Sequence, residues 1–178
     1  MLFHYTIKND PVRTELVSDI RLLDFLAVSY AESCLTLLKR LNEFNGEDLL
    51  ATLESRTYRY VPAMFCFRHY LELRLKYLYL KIMKTQFDSN YDLIELLGMI
   101  KQNGFNLNVF DEPIKFIDQT DKNRLEHFRY LITQAYVDAD QLEIPADEFD
   151  KIKSYITTIE QQCKRYVEQL DSQRLQAS

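Results

Sequence analysis

Arg68 and His69 stand side by side in the run Arg68-His69-Tyr70-Leu71-Glu72-Leu73-Arg74-Leu75-Lys76. Charge and rings crowd together a second time at Asp121-Lys122-Asn123-Arg124-Leu125-Glu126-His127-Phe128-Arg129-Tyr130. The chemistry these residue types allow is metal-independent RNA cleavage. It needs an acid or base near the 2′-hydroxyl and a cation to stabilise the phosphorane charge. His69 or His127 would supply the first, and Arg68, Arg124 or Arg129 the second. The combination is common in chains of this size, so it nominates residues without establishing an activity. Other catalytic signatures are missing: there is no Gly-rich phosphate loop, no H-E-x-x-H, no Ser elbow and no paired Cys. The three His residues are far apart, and Cys34, Cys66 and Cys163 lack metal-ligand spacing, so neither a metal nor a cofactor is expected.

The nominated residues sit on a segment that reads as a central helix, Tyr60 to Thr85. At 100° per residue, Met64, Phe67, Leu71, Leu75, Leu78 and Ile82 form one apolar row. Cys66, Tyr70, Leu73, Tyr77 and Leu80 cover the far side, the pattern of a helix enclosed by neighbours. Between the two lies a polar arc of Arg68, His69, Glu72 and Lys76. Charges there must be paired along the helix, matched by another helix, or open to a cleft or interface, because an unpaired buried charge costs about 3–5 kcal/mol. The simplest arrangement is an i,i+4 pair between Arg68 and Glu72.

Length and composition place this helix in a single all-α domain. The chain has 178 residues, three Gly and four Pro, and its periodic stretches are rich in helix formers. The expected architecture is an up-and-down bundle of four to five main helices, with residues 1–10 as a flexible arm and 172–178 as a frayed tail. Asn9-Asp10-Pro11 signals a helix start, and Leu16, Ile20, Leu23, Ala27, Tyr30, Cys34, Leu37 and Leu41 give a long amphipathic helix stopped near Asn45-Gly46. Glu47 to Glu54 suggests a short helix, and Ser55 to Tyr60 a basic linker feeding Pro62. Ser89-Asn90 offers a cap before a short helix with Asp92 in its first turn, stopped by Asn103-Gly104. Pro113 starts another helix. Phe149, Ile152, Ile156, Ile159, Cys163, Tyr166 and Leu170 make the stripe of a last helix, at the edge of the bundle. With no signal peptide and no 18-residue apolar run, the chain reads as a soluble, cytoplasmic protein without a membrane partner, its cysteines reduced.

Charge is unevenly distributed. The net formal charge is -5, which argues against a dedicated nucleic-acid coat. Yet residues 56–84 hold seven Lys or Arg (Arg56, Arg59, Arg68, Arg74, Lys76, Lys81, Lys84) against the single acid Glu72, and residues 138–150 hold six acids and no base. Arg56, Arg59 and Arg74 are therefore phosphate-binding candidates. The same separation equally suits contact with a protein partner through the acidic 138–150 segment.

The run Arg68 to Lys76, with Asp92-Leu93 opening a short helix and then Phe128-Arg129-Tyr130, resembles bacterial HEPN-like helical proteins, which carry an R-H-x-L-E-L-x-L-K central helix. The resemblance covers roughly residues 60–131. It implies a homodimeric up-and-down bundle that interacts with RNA or nucleotides in a defence or toxin–antitoxin type system. Many members are RNA-cleaving enzymes whose Arg is followed, four to six residues on, by a His; no Arg here has that spacing. Tyr91 stands where relatives often have His, and Leu131 where they often have Pro.

Together these readings give one expected cluster. Arg129 faces Glu72 from another helix, with Arg68, His69, Lys76 and Asp92 or Asp121 completing it; if sealed, loss of Glu72 costs several kcal/mol. Three functions are compatible with it. The first is an RNA- or nucleotide-interacting component of a defence system. The second is a metal-independent endoribonuclease using His69 as acid or base with Arg68 and Arg129 on the phosphate. The third is a non-catalytic protein-interaction module, favoured if an apolar patch is exposed while the cluster is closed.

Overall fold

The computed structural model describes residues 13–42, 49–84, 92–124 and 147–176, with side chains over 20–40, 60–84, 92–118 and 147–172. Their order is α1 (Arg13–Asn42), α2 (Leu49–Met83), α3 (Leu93–Gln102), a 3₁₀ turn (Asn108–Phe110), α4 (Asp111–Arg124) and α5 (Glu148–Gln176). The chain is an all-α helical bundle, with no strand among the described residues. The expected arm at 1–10 and residues 125–146 lie outside them. Helix α5 continues to Gln176, past the point where a frayed tail was expected.

Helix α2 is longer than its sequence suggests. In place of a short helix, a basic linker and a start at Pro62, one 35-residue helix runs through that proline. Pro62 removes a backbone donor and costs about 3 kcal/mol in a helix interior. Tyr60, Val61, Ala63 and Met64 are all buried around it. Burying large apolar side chains contributes about 1.5–3 kcal/mol each, enough to carry the helix across.

Cross-helix pairs fix the directions. Asp24 meets Arg74 and Tyr30 meets His69, so α1 runs antiparallel to α2. Tyr60 meets Glu148, Phe67 meets Tyr155 and Arg74 meets Glu160, so α5 runs parallel to α2. Ala27, Ala31 and Cys34 of α1 and Ala63 of α2 are buried small residues that permit close approach of these helices. Both faces of α2 enter the core: Met64, Phe67, Leu71, Leu75 and Leu78 on one, Tyr70, Tyr77 and Leu80 on the other. Phe67 is the centre of an aromatic group, with ring centroids 6.3 Å from Tyr70, 6.4 Å from Phe116 and 6.4 Å from Tyr155.

At the start of α5, Glu148 is buried. Its Oε1 accepts a 2.8 Å hydrogen bond from the Tyr60 hydroxyl, while Oε2 has no partner. Burial pushes this carboxyl above its ordinary range, and the Tyr60 bond only partly offsets it. The fold thus binds a proton more tightly than the unfolded chain does. The stability this gives is full below the unfolded carboxyl value of about 4.3 and is lost as pH rises through the folded one. A Glu148→Gln chain is expected to lack this decline and to be more stable than wild type at neutral pH. Urea unfolding at a series of pH values checks it.

Candidate functional site

Helix α2 divides the polar arc between two neighbours. His69 turns toward α1: its ring stands edge-on to Phe65 at 4.4 Å and tilted against Tyr30 at 5.2 Å. Its Nδ1 lies 3.5 Å from Glu72 Oε2, and Lys76 Nζ donates to Glu72 Oε1 at 2.5 Å. Burial raises the Glu72 carboxyl, but hydrogen bonds and charge from His69 and Lys76 outweigh it and bring it down to about 2. Both i+4 and i−3 neighbours of Glu72 on the same helix therefore satisfy it, and the expected facing residue Arg129 lies outside the described residues.

This geometry revises the energetics expected of Glu72, whose side chain is 25% exposed. A Glu72→Gln chain is expected to lose only about 1 kcal/mol at neutral pH, in line with partly exposed helical pairs. Stability from a depressed carboxyl is present above the unfolded value of about 4.3 and is lost as pH falls through the folded one. For Glu72 that folded value is about 2. The variant should lose that acid-range slope, which is read by chemical denaturation between neutral and acid pH.

Arg74, a phosphate-binding candidate in the sequence, is only 3% exposed and lies between two carboxylates from other helices. Nε donates to Glu160 Oε1 at 2.6 Å, Nη2 to Glu160 Oε2 at 2.5 Å, and Nη1 to Asp24 Oδ1. The Tyr70 hydroxyl adds a 2.8 Å bond to Glu160 Oε1. Burial alone would pull the guanidinium down; the bonds to Glu160 and Asp24 hold it well above its ordinary value. Nearby Cys163 is pushed up to about 12 by burial, against the pull of Arg74, so this thiol stays protonated. The arrangement joins α1, α2 and α5.

Arg68 takes a different direction from His69. It lines a cleft of about 170 Å³ where α2, α3 and α4 meet, together with Asp92, Leu93, Ile94, Ile114, Ile117 and Asp118. Asp92 is the N-cap of α3, not a first-turn residue as its sequence suggested. Its Oδ1 accepts from Glu95 N at 2.7 Å. Gly104, at φ +84°, closes the other end of α3. The structure thus brings Arg68 and Asp92 into one cleft, packs His69 against α1, and pairs Glu72 with His69 and Lys76 along α2. A shared acid–base and cation function at one phosphate requires both groups within reach of it. Here Arg68 lines the cleft and His69 packs on Tyr30.

The side chains of Arg56, Arg59 and Asp121 and the whole of Arg129 lie outside what is described, as does most of the acidic connection. Sequence reasoning missed Asp24, Glu160 and Asp118. It also missed an exposed apolar row on α1, Leu22, Phe25 and Val28, in which Phe25 is 68% exposed. Among the described residues, no group of three or more His, Cys, Asp or Glu is placed to hold a metal ion, and no helix is long and apolar enough to cross a membrane. Comparison with protein-family models, with curated proteins and with solved structures finds no match to this chain.

Proposed function

We propose that this is a HEPN-like, RNA- or nucleotide-interacting component of a bacterial defence or toxin–antitoxin type system, with its binding surface at the α2–α3–α4 cleft. The observation that supports this reading is that Arg68 of the R-H-x-L-E-L run and Asp92 of the Asp-Leu pair, far apart in sequence, line the same cleft. The seven-cation run around them is not a continuous basic groove, because Arg74 and Lys76 are already engaged by carboxylates. Binding is therefore expected to depend on the cleft more than on long-range charge. Fluorescence anisotropy with single-stranded RNA, and calorimetry with nucleotides, test this. Wild type binds, and Arg68→Ala weakens binding about tenfold, the loss expected of one good side-chain-to-base contact. A folded wild type that binds neither at low salt overturns the reading. Cleavage of end-labelled RNA in EDTA, lost in a folded His69→Ala chain, would establish the endoribonuclease alternative.

A second reading, a protein-interaction module that pairs with another copy of the chain, is favoured by the exposed row Leu22, Phe25 and Val28. Apart from Arg74 and Lys76, which are paired, and the buried Glu148, the acid-rich 138–150 stretch and the base-rich 56–84 stretch are opposite in charge, which suits such a contact. Sedimentation of Phe25→Asp against wild type tests it. A wild-type dimer that the variant converts to monomer supports this reading, and a monomeric wild type removes it.

A further inference from the structure

Resting on the reading of the α2–α3–α4 cleft as the RNA- or nucleotide-binding surface, its lining also says which part of such a ligand enters. Two carboxylates, Asp92 and Asp118, face the cleft with one guanidinium, Arg68. A phosphate placed there would meet more negative than positive charge. At the N-terminus of α3, the Glu95 and Leu96 amides are already bonded to Asp92, which leaves fewer of its donors for an anion. The remaining wall is aliphatic: Leu93, Ile114 and Ile117 are buried, whereas Ile94 is 58% exposed. A large apolar side chain standing in solvent at such a cleft offers a surface for a flat, neutral group.

We propose that the cleft recognises a nucleobase by its edges, guanine above all, and leaves phosphate outside. A cavity of about 150 Å³ accepts a single aromatic ring, and this half-open cleft, at about 170 Å³, has room for a base. Carboxylates only accept hydrogen bonds and guanidinium only donates them. Guanine presents both complements: N–H donors at N1 and N2 for Asp92 and Asp118, and the O6 and N7 acceptors for Arg68. Cytosine and adenine offer fewer donors to two carboxylates, and uracil one. An Arg carries five N–H donors and a carboxylate about four acceptor positions, so these groups can serve the bundle and a base at once. The aliphatic side chains cover the faces of the ring, with Ile94 closing over it.

Calorimetry with guanosine, guanosine monophosphate, adenosine, uridine and inorganic phosphate tests this, beside a short G-rich single-stranded RNA that separates a base within RNA from a free one. Guanosine and its monophosphate are expected to bind within about threefold of each other, because the phosphate makes no contact in the cleft. Phosphate should displace neither, and adenosine and uridine should bind more weakly. Asp118→Asn and Ile94→Ser should each weaken guanosine about tenfold, on the scale of one lost base contact. Ile94→Ser should do so at unchanged melting temperature, since the side chain is exposed. Asp92→Asn, which keeps an N-cap acceptor, serves as a further variant that folds. Monophosphate binding without guanosine binding, or displacement by phosphate, overturns the base assignment and leaves the proposed function standing. So does RNA binding that Ile94→Ser leaves intact. Failure of every nucleoside, nucleotide and RNA to bind overturns both.

Discussion

A Glu160→Ala chain is expected to lose about 2–3 kcal/mol of folding stability, less than the full cost of breaking a buried ion pair, because the Glu160 side chain is 36% exposed and Arg74 keeps a second carboxylate. The loss has two parts. Arg74 is 3% exposed and would keep Asp24 as its anionic partner, while its Nε and Nη2 donors lose their acceptors. The Tyr70 hydroxyl, also buried, would be left with a long 3.4 Å contact to the Ile156 carbonyl. Truncating Asp24 instead, whose side chain is 50% exposed, removes a single bond and leaves the bidentate pair in place, so the effect should be clearly smaller. Urea denaturation of both variants makes the comparison. Equal losses would show that the two carboxylates contribute alike, contrary to their unequal hydrogen bonding. Replacing Arg74, Asp24 and Glu160 together by apolar residues of similar volume should cost less than Glu160→Ala alone, because no charge is then left buried without its partners.

Phe67→Ala should destabilise the bundle by about 3–5 kcal/mol, the range for truncating a fully buried aromatic side chain. Phe67 has no exposed surface, and Tyr70, Phe116 and Tyr155 surround it from the same helix, α4 and α5. The helices are pinned by other contacts, so the space left would not collapse fully, and the cavity adds to the lost transfer free energy. Phe67→Leu, which fills most of the volume, should cost less than half as much, about 1–2 kcal/mol. Thermal and urea unfolding of the pair checks this. A loss near 1 kcal/mol for the alanine variant would mean that the aromatic group can close around the gap.

The legible part of the fold came from periodicity. Most of the two apolar faces of α2 and the stripe Ile152, Ile156, Ile159 and Cys163 of α5 are buried as their spacing implies, with Cys66, Leu73 and Ile82 packed against the core and partly exposed. The extent of α2 was not legible, because Pro62 and a basic approach look locally like a boundary and only tertiary burial carries the helix through. The polar arc illustrates a different limit. Spacing puts Arg68, His69, Glu72 and Lys76 on one sector but does not tell which neighbour each meets. Residues 68 and 69 are about 100° apart on the helix, enough to send one toward α3 and α4 and the other toward α1.

Arg74 was misleading in company and informative in position. Among seven cations it looks like basic surface, yet it stands four residues after Tyr70 and three before Tyr77, both buried. Asp24 bears the same relation to Ile20 and Ala27, and Glu160 to Ile156 and Cys163. Three charges, each on the apolar row of its own helix, are the sequence sign of a cross-helix ion network. Their pairing was hidden because the partners are 50 and 86 positions away from Arg74.

Those separations also set an order of events in time. A contact spanning 86 positions forms only after the intervening chain has closed on itself, at an entropic cost that grows with the logarithm of its length. Pairing of α1 with α2 needs only the short connection between them, so that hairpin can form early and seat Arg74 against Asp24 before α5 arrives. The Glu160 half of the network is therefore expected on the downhill side of the folding barrier, which stopped-flow folding and unfolding of Glu160→Ala would check. Interactions made there slow unfolding and leave the folding rate nearly untouched. On that order the bidentate pair is expected to act as a latch: its loss should shorten the time a folded chain stays folded and leave the folding rate nearly unchanged.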